Sequence, residues 1–152
     1  MYDQLKLDNQ LCFRFYTVSR LIAQAYRPLL EPLRLTYPQY LVMLVLWEHD
    51  NQTVSDITGR LGLETNTVTP LIQRMEKAGL VVRTKGIVDS RQTLVSLTKR
   101  GQHLEQEARE VPECIVRSLM PGGAMPDAEQ ATQTAALLDS LIATLREATQ
   151  TK

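Results

Sequence analysis

The 152-residue chain holds only two cysteines, two histidines and eight aromatic residues, and its net formal charge is zero. Each scarcity excludes something. A chain of this length buries a core without disulfides or metals, so two cysteines do not read as the framework of a small secreted scaffold. There is no Cys-x-x-Cys, no metal-ligand cluster, no phosphate-cradling Gly loop and no Ser-His-Asp set, so the sequence predicts no metal, no cofactor and no catalytic residue. No apolar run of about 18 residues exists to cross a membrane. The opening Met1-Tyr2-Asp3-Gln4 lacks the basic-then-apolar pattern of an export signal, which sets the expectation of a cytoplasmic protein. In that compartment thiols stay reduced, so the cysteines are either inert core residues or redox-active.

Zero net charge argues against a nucleic-acid partner, but its distribution argues the other way. Between Gln52 and Arg100 there are eight basic residues and four acidic ones, a net of +4, and the flanks carry the compensating −4. A basic middle suits phosphates; a solvated helical surface is the bland alternative.

Periodicity divides the chain. Leu11, Phe15, Val18, Ile22, Ala25 and Leu29 form one stripe of a helix beginning near Leu7, with Asp8 as N-cap and Pro28 as its end or kink. Thr36-Tyr37-Pro38 opens a second helix, apolar nearly all round and therefore core. Thr53-x-x-Asp56 is a capping box for a short helix ending at Leu61, and Gly62 makes the turn. The next helix starts near Asn66 or Thr67, which places Pro70 in its first turn, buries Val68, Leu71, Ile72 and Met75, and stops at Gly79. Strands over 80–84 and 93–97 flank a charged loop. Thr98 caps a long helix to about Leu119, kinked at Pro112. The stretch 120–126 is a turn region, and a last helix from Asp127 stripes Ala131, Ala135, Leu138, Ile142 and Leu145.

The fold class predicted is mainly α (α+β): a winged helix-turn-helix over 36–100, with helices over 1–35 and 101–152 that pair with a second copy. On that fold Asn66, Thr67, Thr69, Gln73 and Arg74 face the major groove of double-stranded DNA. Arg91 enters the minor groove, steadied by Asp89, and Arg83 and Lys85 lie over phosphates. Protein contacts through the same surface are the alternative. Cys12 stands in a helical first turn, where exposed amides and the macrodipole favour the reactive thiolate; a buried, inert cysteine is the alternative.

Residues 5–98 resemble the MarR family of winged-helix repressors, and within it the branch that senses organic hydroperoxides. The resemblance is carried by Leu7-Asp8-Asn9-Gln10-Leu11-Cys12-Phe13, Tyr26-Arg27-Pro28-Leu29-Leu30, 35–41, Leu46-Trp47-Glu48-His49, Arg74-Met75-Glu76 and 94–98. It implies a homodimeric repressor, not an enzyme, whose Cys12 is oxidised to a sulfenic acid and then a disulfide, releasing operator DNA. It also implies that Tyr26 and Tyr37 hydrogen-bond that cysteine. Tyr26 is 14 positions beyond Cys12, about 21 Å along a straight helix, so its contact is with the sulfur of the other subunit. Cys114 matches the place of the resolving cysteine that some members of the branch carry. Two other readings remain: a repressor released by a phenolic or other apolar ligand, and a thiol peroxidase, which would need turnover.

Overall fold

The computed structural model describes residues 2–86, 91–119, 122 and 127–150. The chain divides into two compact units, Met1–Ile115 and Val116–Lys152.

The first unit begins with two 3-10 turns, Asp3–Leu5 and Leu7–Asn9, before helix α1 (Leu11–Leu30). Asp8 is therefore inside a turn, and Gln10 is the N-cap of α1. The local reason is side-chain competition for backbone. The Asn9 amide donates to the Asp3 carbonyl (2.7 Å) and the Gln10 amide to that of Gln4 (2.6 Å), so the segment folds on itself before the helix starts. Pro28 does not end α1; it sits in the last turn, and the chain turns over 31–34, with Arg34 at φ 55°.

Helix α2 (Tyr37–Glu48) starts as its sequence requires, with Thr36 and Gln39 forming a reciprocal capping box and Pro38 in the first turn. Its Tyr40, Val42, Met43, Val45 and Leu46 are buried, which makes it the centre of the core. A two-residue strand β1 (Gln52–Thr53), too short for a periodicity signal, leads directly into α3 (Val54–Leu61). The Thr53 hydroxyl accepts from the Asp56 N–H, and the Asp56 carboxylate accepts from the Thr53 N–H (both 3.1 Å). Thr53→Ala removes this box and should cost about 1 kcal/mol of stability, read as a lower urea midpoint at unchanged slope; an unmoved midpoint would refute the contribution.

Gly62 closes α3 at φ 63°, a left-handed position that suits glycine. Helix α4 (Thr65–Lys77) begins earlier than its proline implies: Glu64 is the N-cap and Pro70 lies at the sixth position, inside the helix. Tertiary burial outweighs that lost hydrogen bond, because Val68, Leu71, Ile72 and Met75 all pack into the core. Strands β2 (Val81–Lys85) and β3 (Thr93–Leu97) form an antiparallel hairpin, with Arg83 opposite Val95, and β1 pairs on the far side of β3. The sheet order is β1-β3-β2.

The expected long helix after Thr98 is two helices, α5 (Lys99–Ala108) and α6 (Val111–Leu119), separated at Arg109 and Glu110. Pro112 lies in the first turn of α6, where its missing N–H is harmless, so it begins a helix and does not kink one.

The second unit holds α7 (Ala128–Gln150), and none of its described residues is buried. Leu137, Leu138, Leu141, Ile142 and Leu145 are 37–63% exposed. Among the described residues, no helix is long and apolar enough to cross a membrane. The turn expected over 120–126 lies, apart from Gly122, outside the described residues.

Candidate nucleic-acid interface and thiol site

Burial of one face of α4 dictates what the other face offers. With Val68, Leu71, Ile72 and Met75 inward, Asn66, Thr67, Gln73 and Arg74 are exposed and Thr69 is half-buried. Two amides, two hydroxyls and a guanidinium on the open face of one helix can both donate to and accept from base edges, and donate to phosphates.

The hairpin supplies the second wall. Its tip is closed by the Gly86 N–H donating to the Gln92 carbonyl (2.9 Å). Lys85 and Arg91 flank that tip and are exposed, while Asp89 lies outside the described residues. Arg83 does not point freely to solvent. Its guanidinium pairs with the Glu76 carboxylate of α4, with Nε to Oε2 at 2.9 Å and a second guanidinium nitrogen at 2.8 Å. Those hydrogen bonds hold the Glu76 carboxyl below the usual carboxylate range.

Between helix and hairpin runs a cleft lined by Thr53, Ser55, Thr65, Thr69, Arg83 and Arg91, among others. Hydroxyls and cations around a concave surface suit an anionic backbone. Thr65, Ser55 and Glu76 were not among the residues picked out from sequence. Starting α4 one or two residues too late hides Thr65, and the partnership of Glu76 with Arg83 depends on how the hairpin folds back.

The thiols occupy different helices. Cys12 is the second residue of α1 and Cys114 lies in α6; both are exposed in the single chain, which separates them from core cysteines. Around Cys12, the neighbours Leu11, Phe13, Phe15, Tyr16 and Val18 are 38–65% exposed, an apolar surface that the chain leaves uncovered.

Tyr26, near the far end of α1, stacks on Tyr37 at the start of α2, with centroids 4.4 Å apart and planes inclined by 28°. Tyr26 also meets Tyr40 at 5.8 Å, and Tyr40 meets Trp47 edge-on at 6.2 Å. Burial, followed by the neighbouring Tyr37 and Tyr40, pushes the Tyr26 phenol up to about 12, and burial raises Tyr37 as well. Both phenols therefore keep their protons at neutral pH and are chemically able to donate a hydrogen bond. Tyr40 was not singled out from sequence, although its spacing three residues after Tyr37 puts both on one side of α2.

The row of rings ends at an anchor. Trp47 Nε1 donates to the Gly101 carbonyl (2.9 Å) in the first turn of α5. The Thr98 hydroxyl, which accepts from the Gly101 N–H (3.0 Å), lies 2.7 Å from the Gly79 carbonyl between α4 and β2. His49 is the C-cap of α2 and is exposed.

A helix-turn-helix whose second helix opens onto a two-stranded hairpin defines a winged-helix transcriptional regulator. Residues 35–93 match the model of the MarR family. The chain is 40% identical, over 146 residues and 96% of each sequence, to the organic hydroperoxide resistance transcriptional regulator of Bacillus subtilis strain 168. The chain belongs to the MarR family. Among solved structures it is similar to AbfR, a Staphylococcus epidermidis protein. With reduced AbfR bound to DNA it shares 41% identity over 95% of this chain and 96% of that one, at a TM-score of 0.77. With disulfide-formed AbfR it shares 41% identity, covering 95% and 93%, at a TM-score of 0.58.

Proposed function

We propose that this regulator is a homodimeric repressor that binds double-stranded operator DNA when Cys12 is reduced and releases it after an organic hydroperoxide oxidises that thiol. The observation that carries this reading is the exposed Cys12 in the first turn of α1, in a chain 40% identical to a hydroperoxide-resistance regulator. The thiolate attacks one peroxide oxygen, the O–O bond breaks, the alcohol leaves with a proton, and Cys12 becomes a sulfenic acid. The Cys114 thiolate of the second subunit then attacks the Cys12 sulfur, hydroxide leaves and is protonated to water, and a disulfide joins the two subunits. Tyr26 and Tyr37, which carry their protons, are the donors assigned to stabilise the sulfur anion.

Dimer formation is supported by what one chain leaves open. The exposed apolar residues of α1 and those of α7, whose described residues are all exposed, are each more apolar surface than a monomeric helix normally presents.

On DNA, Asn66, Thr67, Thr69, Gln73 and Arg74 of α4 read the major groove, and Lys85 and Arg91 of the wing engage the backbone and minor groove, with Asp89 near Arg91 in sequence. Arg91→Ala should weaken operator binding by about 1–3 kcal/mol while leaving Cys12 oxidation unchanged. Equal affinity of the two proteins in titrations at one fixed salt concentration would remove Arg91 from the DNA surface.

The experiment that tests the whole reading is intact mass under non-reducing, denaturing conditions, before and after one equivalent of cumene hydroperoxide, with operator binding followed in parallel. A covalent dimer that loses DNA and regains it with dithiothreitol is the expected result, with Cys114→Ser abolishing the dimer. A chain unchanged in mass and affinity would overturn it.

A further inference from the structure

An acid at the end of the candidate reading helix, paired with a cation of the cleft, is unexpected beside a surface that meets phosphates. Glu76 is in the last turn of α4, and both of its carboxylate oxygens are committed. Oε1 accepts from the backbone N–H of Arg83 (3.1 Å), and Oε2 accepts from the Arg83 guanidinium at 2.9 Å and 2.8 Å. Strand β2 is one of the two outer strands of the sheet, and its Arg83 N–H turns away from β3 to Glu76, so the carboxylate occupies a place that a further strand would take. The two side chains are only about a third exposed, at 34% for Glu76 and 31% for Arg83. One carboxylate thus ties the end of the reading helix to the backbone of the wing, and neutralises the cation that lines the same cleft as Arg91.

We propose that Glu76 is a positioning and specificity-determining residue: it sets the wing against α4 and keeps Arg83 off the DNA backbone, which limits sequence-independent binding. The proposal rests on the DNA-binding reading above. Its physical basis is that each cation placed on a phosphate adds affinity without regard to sequence, through counterion release. A guanidinium held through two of its nitrogens by one carboxylate oxygen is withdrawn from that contribution.

The test uses the full-length reduced protein with two probes: a duplex recovered from a random pool by the wild-type protein, and a scrambled duplex of the same composition. Affinities are measured between 50 and 200 mM salt for the wild type, Glu76→Gln, Arg83→Gln and the double variant. Glutamine can still accept from the Arg83 backbone but no longer neutralises its charge. The expected result for Glu76→Gln is a salt dependence steeper by about one unit per subunit, equivalent to about 4-fold more loss of affinity per subunit over that salt range. Binding to the scrambled duplex tightens and the ratio between the two duplexes falls. The double variant, which removes both charges, returns to the wild-type slope.

Parallel salt slopes for Glu76→Gln and wild type would overturn the proposal, even if overall affinity dropped, because a merely structural contact moves affinity and not slope. A shallower slope for Arg83→Gln together with no change for Glu76→Gln would also overturn it, by putting Arg83 on phosphate already. A readout without DNA separates this proposal from the reading it rests on. The Arg83 Nε–H should give a slowly exchanging NMR signal in the wild type that Glu76→Gln loses. Absence of that signal in the wild type sinks the clamp while leaving DNA binding intact, whereas a wild type that retains no duplex sinks the DNA reading and this role with it.

Discussion

With Cys12→Ser, addition of an organic hydroperoxide is expected to leave the protein on its operator, whereas the wild type should lose affinity by about 5- to 150-fold, the usual range of coupling between two sites. The serine hydroxyl keeps nearly the same volume and hydrogen-bonding capacity, but an alcohol is not oxidised to the sulfenic acid. Folding should be untouched because Cys12 is exposed and makes no core contact. The measurement is fluorescence anisotropy of a labelled operator titrated with cumene hydroperoxide. Release of the serine protein at the wild-type dose would move the sensing role away from Cys12. Persistent release in the Cys114→Ser protein would have a different meaning: the sulfenic acid itself, or its adduct with a small thiol, would then be enough to switch the dimer.

The second large effect is expected at Gly101. A Cβ on this residue would lie 2.2 Å from the Leu80 carbonyl oxygen and 3.2 Å from Leu97 Cδ2. The closer obstacle is backbone, held by the Thr98 N–H donating to the same Leu80 oxygen (3.0 Å), so it has little room to yield. Gly101→Ala should therefore destabilise the fold by about 3 kcal/mol, as overpacking does when the neighbour is rigid. For a chain of this size that lowers the thermal midpoint by roughly 6–12 °C. Differential scanning calorimetry at a fixed protein concentration reads the shift, and a variant melting within a degree of wild type would show that α5 slides away from the hairpin without cost. Arg100→Ala is a neighbouring control: it loses one exposed hydrogen bond to the Ala78 carbonyl and should shift the midpoint little.

Much of this architecture is legible in the residues themselves, for reasons that differ from element to element. Thr36-x-x-Gln39 and Thr53-x-x-Asp56 mark helix starts because each pair satisfies backbone donors locally, without help from distant chain. The inward set of α4 is readable because burial imposes its 3.6-residue period regardless of where the helix begins. The boundaries are harder. Asp8 has the chemistry of an N-cap, yet Asn9 and Gln10 draw the preceding backbone into 3-10 turns. Pro70 reads as a first-turn residue by local rule, but four buried side chains hold the helix around it. Pro112 reads as a kink because the break just before it, at Arg109 and Glu110, carries no glycine or proline to announce it.

The candidate site divides along the same line. Residues on the open face of α4 follow from the burial of its inner face, whereas the sequence leaves Cys12 open between a reactive thiol and a buried one, and its exposure is read from the structure. The stacking of Tyr26 on Tyr37 joins two helices across a turn, and the pairing of Glu76 with Arg83 joins a helix to a strand. Neither has a spacing signature, since what brings them together is the packing of whole elements.

Trp47 is the single tryptophan of the chain, and it stands where the row of tyrosines ends and the base of the hairpin begins. The molecule therefore contains its own optical probe. Light absorbed by Tyr26, Tyr37 and Tyr40 passes by energy transfer to one indole, whose emission depends on the carbonyl that its N–H holds. A shift of α2 against α5 would change the colour of that emission without a label and with no second tryptophan to mask it.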